Sequence, residues 1–357
     1  MNLSLDALTL QKIGAESWLN LGAWLWSAGA ELEKQALKFY ELRPPLIPLK
    51  QVNFRPLART FGTIARSLEV WWDGGEARLV YAADSPAALD PLRQAYPGLE
   101  VGAIKESEPG WVKDLETPPT FFDLEQLHGL SFCRFIEEHR GEFMDHILGS
   151  LEGCAPAWLQ VVSVAFNYSP YSEAFANTMD KIVQRIGQGK WHSSLDFKKV
   201  GDGHYQVDPH EAGSTVGQYG HQIAREAFSK GQLANVAVHV RGLVSDPTTA
   251  DALSHALTVA VKISYDYAAA LPYDDPRLLR FLRARNVPDP TWALANLANG
   301  GFTGKWSFRP EAGRRTLIPV FCAVPSELAV FNCLPTDPSL PVSYTRPKRG
   351  QKRRVRE

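Results

Sequence analysis

The stretch from Arg66 to Val101, RSLEVWWDGGEARLVYAADSPAALDPLRQAYPGLEV, limits what this chain can fold into more than any other. Two runs rich in Val, Trp, Tyr and Leu flank Asp73-Gly74-Gly75. That composition favours extended backbone, and the central triplet supplies the residues a tight hairpin turn needs. Ser85-Pro86 then reads as an N-cap followed by proline at the first helical position. Leu89, Leu92 and Ala95 share the inner face of the helix so started. Gly98 ends it, and LEVGAIK is a further strand. Strand, strand, helix, strand is most of a ferredoxin-like α+β unit.

The second half repeats this grammar. A helical stretch, Glu137–Leu151, precedes APAWLQVVSVAFN, a strongly apolar strand. NVAVHVRGLV is another strand, and Asp246-Pro247 opens a helix that places Ala252, Ala256, Val259, Ile263 and Tyr267 on one side. The segments GKWSF and RRTLIPVFCAV form a late hairpin. The expected fold class is α+β, with two ferredoxin-like sheet-and-helix subdomains and mixed or antiparallel sheets. The expected division is N-terminal helices over 1–43, the second of them Glu31–Leu42, and a proline-rich linker over 44–54. A first subdomain over 55–150, a second over 151–345 and a basic, disordered tail over 346–357 follow.

Composition narrows function. With 38 Lys and Arg against 39 Asp and Glu, the net charge is −1. No global basic field exists, so binding of nucleic acid is local. Cys133, Cys154, Cys322 and Cys333 form no CxxC pair and sit among apolar neighbours, which reads as buried free thiols in a reducing compartment. No signal peptide opens the chain, and the uncharged run Ser17–Ala30 is shorter than a membrane span. It makes a helix instead, with Trp18, Leu21, Leu25 and Ala28 in one stripe that Leu32 extends, suited to packing on the domain or docking on a partner, or on a membrane surface.

GGFTGKWSF, Gly300–Phe308, imitates a phosphate loop but fails its pattern. Asn299 stands where the leading glycine belongs, and Trp306 replaces the hydroxyl residue that would reach Mg²⁺. His204, Asp208, His210, Glu211 and His221 gather in one Gly-rich segment without HxH or HExxH spacing, so a metal-dependent enzyme is an alternative that the pattern does not favour. No nucleophile elbow or acid–base pair stands out, and neither an enzyme activity nor a cofactor is expected. Arg346, Lys348, Arg349, Lys352, Arg353, Arg354 and Arg356 crowd the C-terminus. They form an arm for phosphates or an acidic partner, or a solvated terminus. A free-standing nucleic-acid-binding protein acting through this tail is a second alternative.

Three stretches together resemble one family. They are Leu57–Val101, Gly231–Asp266 and AVPSELAVFNCLPTDPSLP, Ala323–Pro341. The last is the most specific, with Ser326, Glu327, Leu328, Ala329, Leu334 and Pro335 at the motif positions. They resemble the N-terminal, non-motor region of conjugative type IV secretion and HerA-like DNA-translocating ATPases. The motor's Gly-Lys-Thr, Mg²⁺ acid and arginine finger have no counterpart here. The resemblance implies a non-catalytic accessory or scaffold in a DNA translocation machine. It would work in an oligomeric assembly with a separate ATPase subunit, with DNA through the tail and with a membrane channel protein. Its place would be the cytoplasm, at the inner face of the cell membrane.

Overall fold

The computed structural model describes residues 37–62, 66–116, 119–126, 134–135, 141–165, 196–199, 205–208, 236–266, 279–284, 320–323 and 325–345. The first strand corrects a sequence expectation. Lys38–Arg43 is strand β1, where a helix ending at Leu42 was expected. Phe39 and Tyr40 are good strand formers, and β1 finds antiparallel partners on both sides, so tertiary pairing overrides local helix propensity. The prolines that follow hold the chain out of helix, as their fixed φ requires, until a 3-10 turn at Leu49–Gln51 and another at Arg55–Arg59.

The hairpin forms as read. β2 is Arg66–Trp72 and β3 is Ala77–Ala83, paired antiparallel. Asp73 Oδ1 accepts from the backbone of Gly75 and Glu76, each at 2.9 Å, and Gly74 takes φ 104°. Ser85 precedes the next turn in extended conformation, but its side chain makes no cap bond. The chain passes through a 3-10 turn at Pro86–Leu89 into α1, Asp90–Ala95, then β4, Glu100–Ile104. A 3-10 turn at Gly110–Asp114 leads to β5, Thr120–Gln126, and the short β6, Arg134–Phe135. Helix α2 is Glu142–Gly149 and strand β7 is Ala157–Ala165.

Beyond β7 come β8, Asp196–Lys199, and β9, Tyr205–Asp208, paired with each other. β10, Val236–Val244, leads into α3, Pro247–Ser264. Asp246 caps that helix as expected, its Oδ1 accepting from Thr248 N at 2.8 Å and Thr249 N at 3.1 Å. The buried face of α3 overlaps the expected one only at Ala256, and the side chains of Ile263 and Tyr267 lie outside the described residues. Ala250, Leu253, Ala256, Leu257 and Ala260 are buried, while Ala252 and Val259 are only half-buried. Leu253 and Leu257 bring more apolar area to the core than Ala252 and Val259 would, which turns this part of the helix toward them. β11 (Tyr265–Asp266, paired with β6), β12 (Leu279–Ala284), β13 (Val320–Ala323) and α4 (Leu328–Phe331) complete the described elements.

The protein is a mixed α+β fold built on one antiparallel sheet. Its strand order is β12-β5-β10-β7-β2-β3-β1-β4, with β13 pairing β10 beside β5. Strands from both halves of the chain meet where β2 pairs β7. The helices cover one face. There Leu68, Val70, Trp72, Leu79, Tyr81, Leu159 and Val161 pack with Leu89, Leu92, Phe143, Ile147, Leu253 and Leu257 in one core. A smaller cluster on the other face holds Phe39, Trp71, Val80, Val112, Trp158 and Leu243.

Candidate functional site: a C-terminal strap and a buried polar row

The segment with the most specific sequence motif, Ser326–Pro335, is a strap packed against the helical face. A 3-10 turn at Pro325–Glu327 enters α4, and all four residues of α4 are buried. Pro335, Pro338 and Pro341 keep the rest of the strap from continuing as helix. Phe331 meets Phe143 edge-on, ring centroids 5.1 Å apart, the geometry the ring quadrupoles favour.

Polar contacts fix the strap's register. Asn332 Nδ2 donates to Thr60 Oγ1 at 2.7 Å, and that hydroxyl donates to Leu57 O at 2.6 Å. Tyr81 OH in β3 donates to Thr60 O at 2.8 Å, so strand, turn and strap share one anchor. The backbone N–H of Leu334 donates to Tyr96 OH at 2.8 Å, and Cys333 Sγ lies 3.0 Å from the same oxygen. Thr336 N reaches Asp145 Oδ1 at 3.4 Å. Further along, Ala77 N donates to Pro341 O at 2.7 Å, and Thr345 N to Pro44 O at 3.0 Å. Ser343 and Glu76 also join by a hydrogen bond. The strap therefore ends at a defined place, beside the end of β1 and the β2–β3 turn.

Its titratable groups suit a clamp rather than a reaction centre. Burial pushes the Cys333 thiol up to about 12, and the Tyr96 hydroxyl well above its ordinary value. Both groups stay protonated near neutrality, which keeps the thiolate population of Cys333 low. Burial also lifts Asp145 to about 6, against the Thr336 N–H and aided by Asp337 and Glu142. Cys333 is a buried free thiol as expected, whereas Cys154 is free and only half-buried.

A second polar feature escaped sequence reading. Glu69 lies mid-strand in β2, fully buried on the face away from the helices. Its carboxylate accepts from Ser67 Oγ (2.7 Å), Trp71 Nε1 (2.7 Å), Trp158 Nε1 (2.9 Å) and Gln160 Nε2 (2.9 Å). Gln160 Oε1 in turn accepts from Arg241 Nε at 2.8 Å. Four donors occupy the carboxylate, yet burial still raises it to about 7. The signal in the sequence was one acid amid Leu68, Val70, Trp71 and Trp72, a position water would not normally be denied.

The other predicted residues fall elsewhere. Trp18, Leu21, Leu25 and Leu32, the tail from Arg346 to Arg356, the Gly300–Lys305 loop, and His204, His210, Glu211 and His221 lie outside the described residues; Asp208 ends β9. Among the described residues no cluster of three or more His, Cys, Asp or Glu could hold a metal, and no helix is long and apolar enough to cross a membrane. Compared with protein families, curated proteins and solved structures, the chain matches none.

Proposed function

We propose that this protein is a non-catalytic scaffold of a conjugation-like, type IV secretion DNA translocation machine, acting beside a separate ATPase motor at the cytoplasmic side of a membrane. The strap carries the reading. The motif that resembles the segment ahead of a translocase motor is here a buried clamp, tied to Thr60, Tyr96 and Pro44. A clamp of that kind delivers whatever follows Thr345 from a fixed point, as a scaffold must when it presents a tail to a motor or to DNA. The strand order lends support. Counting only the four strands each half puts on the main path of the sheet, both run fourth, first, third, second, the order of a ferredoxin-like subdomain. The Trp18–Leu32 stripe would dock the assembly on its membrane channel, and Arg346–Arg356 would meet DNA or the motor.

The test pairs the full chain with a candidate translocase ATPase. The two should co-elute in gel filtration, and removing 346–357 should leave that association intact while lowering DNA binding in low salt. Binding to DNA that survives tail removal, no association with the motor, or ATP turnover by this chain alone would each overturn the proposal.

A further inference from the structure

The two halves of the sheet are laid out alike. One line of cross-strand neighbours runs Gly102, Glu41, Val80, Glu69, Gln160, Arg241, Asp123, Leu282. It is symmetric about the Glu69–Gln160 pair, with each strand of the first half matched by one of the second. The sequence follows the same correspondence. Leu68-Glu69-Val70 matches Leu159-Gln160-Val161. Phe39-Tyr40-Glu41-Leu42 matches Phe121-Phe122-Asp123-Leu124. Ser85-Pro86 falls on Asp246-Pro247, and Asp90 and Leu92 fall on Asp251 and Leu253.

We infer that the two halves are copies of one unit fused in tandem, and that the β2–β7 seam is a unit–unit interface that accepts an unlike half and rejects a like one. If two first halves met through β2 about the same axis, Glu69 would face Glu69, two buried carboxylates in contact. The second half presents Gln160 at that position. Its amide donates to Glu69 while its carbonyl accepts from Arg241, so a cation, an amide dipole and an anion line up across three strands. The partner this edge fits is a strand that offers an amide opposite Glu69 and an indole N–H beside it, as Trp158 does. Other charged groups near this face are Glu41, paired with Arg78 at 3.2 Å and Arg43 at 3.6 Å, Arg78 itself, stacked over Trp71, and Lys113 and Asp114 in the turn whose Val112 packs here. Asp123 shares Arg241's row.

The test is Gln160→Glu in the full chain, alone and combined with Glu69→Gln, with urea unfolding followed from pH 5.5 to 9. For Glu69, wild-type stability falls as pH rises from its unfolded range to about 7 and is level above it, because the folded state holds that proton more tightly; the buried Cys333 thiol adds a decline near pH 9 that every variant shares. Gln160→Glu creates a carboxylate pair, one of which must keep a proton, as like charges in contact require. Its unfolding constant should therefore keep rising about tenfold per pH unit above pH 7.5. The double variant, with a single carboxylate beside Arg241, should lose that extra slope. Folding of Gln160→Glu at pH 5.5 but not at pH 7.5 supports the inference equally. A wild-type slope in Gln160→Glu, the same extra slope in the double variant, or a chain folded at neither pH would overturn it.

Discussion

Two buried tyrosines offer a controlled perturbation of the strap. Tyr96 and Tyr40 both lie in the main core, and both lose only an oxygen on mutation to Phe. Their hydroxyls differ in employment. Tyr96 OH takes the Leu334 N–H at 2.8 Å and touches Cys333 Sγ. Tyr40 OH is buried with no partner among the described residues. Tyr96→Phe leaves the buried Leu334 amide without an acceptor, a desolvation cost of about 1–3 kcal/mol. A central loss of about 2 kcal/mol is roughly a 30-fold change in the opening constant. Tyr40→Phe removes a group that gains nothing from burial, so it should be neutral or slightly stabilising, within about 0.5 kcal/mol. Amide hydrogen exchange reads the difference locally. Exchange at Leu334 should accelerate about 30-fold in Tyr96→Phe and stay at the wild-type rate in Tyr40→Phe. A urea midpoint that drops only in the first variant would agree. Equal losses in the two variants, or unchanged exchange at Leu334 in Tyr96→Phe, would refute the claim that this hydroxyl holds the strap.

Two further outcomes follow from the same geometry. Asp145 is lifted to about 6 by burial, so the folded state binds its proton more tightly than the unfolded chain does. Stability should therefore decline as pH rises from about 4 to about 6, and Asp145→Asn should flatten that decline in a series of urea midpoints. Gly74 turns the β2–β3 hairpin at φ 104°, a region that a Cβ disfavours, although nothing else lies within 4 Å of one built there. Gly74→Ala should thus cost about 1 kcal/mol of thermal stability through backbone strain alone, without disturbing the packing.

How much of this was legible in the sequence depends on where the deciding partner sits. The β2–β3 hairpin was readable because Asp73 and Gly74 decide it within four residues. The start of α3 was readable for the same reason, since Asp246 caps amides two and three residues on. β1 was misread because its extended state depends on β3 and β4, far along the chain. The Ser85 position was recognised, yet its side chain makes no cap bond. The strap's motif was visible as a motif, but not as a clamp. Its anchors, Thr60 and Tyr96, lie more than two hundred residues away. The like order of elements in the two halves was legible, but the residue-by-residue correspondence between them was not. The connections between equivalent strands differ in length, above all between β7 and β10, so no fixed period exists to detect.

The strap and the polar row solve the same mechanical problem from opposite faces. The β2–β7 ladder joins the halves within the sheet, with Glu69 and Gln160 fixing its register on the side away from the helices. Slipping that ladder by one residue would turn Glu69 into the apolar core among Leu68, Val70 and Trp72, at the cost of a buried, unpaired carboxylate. The strap crosses the helical face, where α4, the last of the described helices, packs on α2 through Phe331 and Phe143. It then returns to the first half at Ala77 and Pro44. A chain tied on both faces resists a twist between its halves better than one tied on either alone. In the proposed scaffold, rigidity of that kind would hold two attachments at fixed separation.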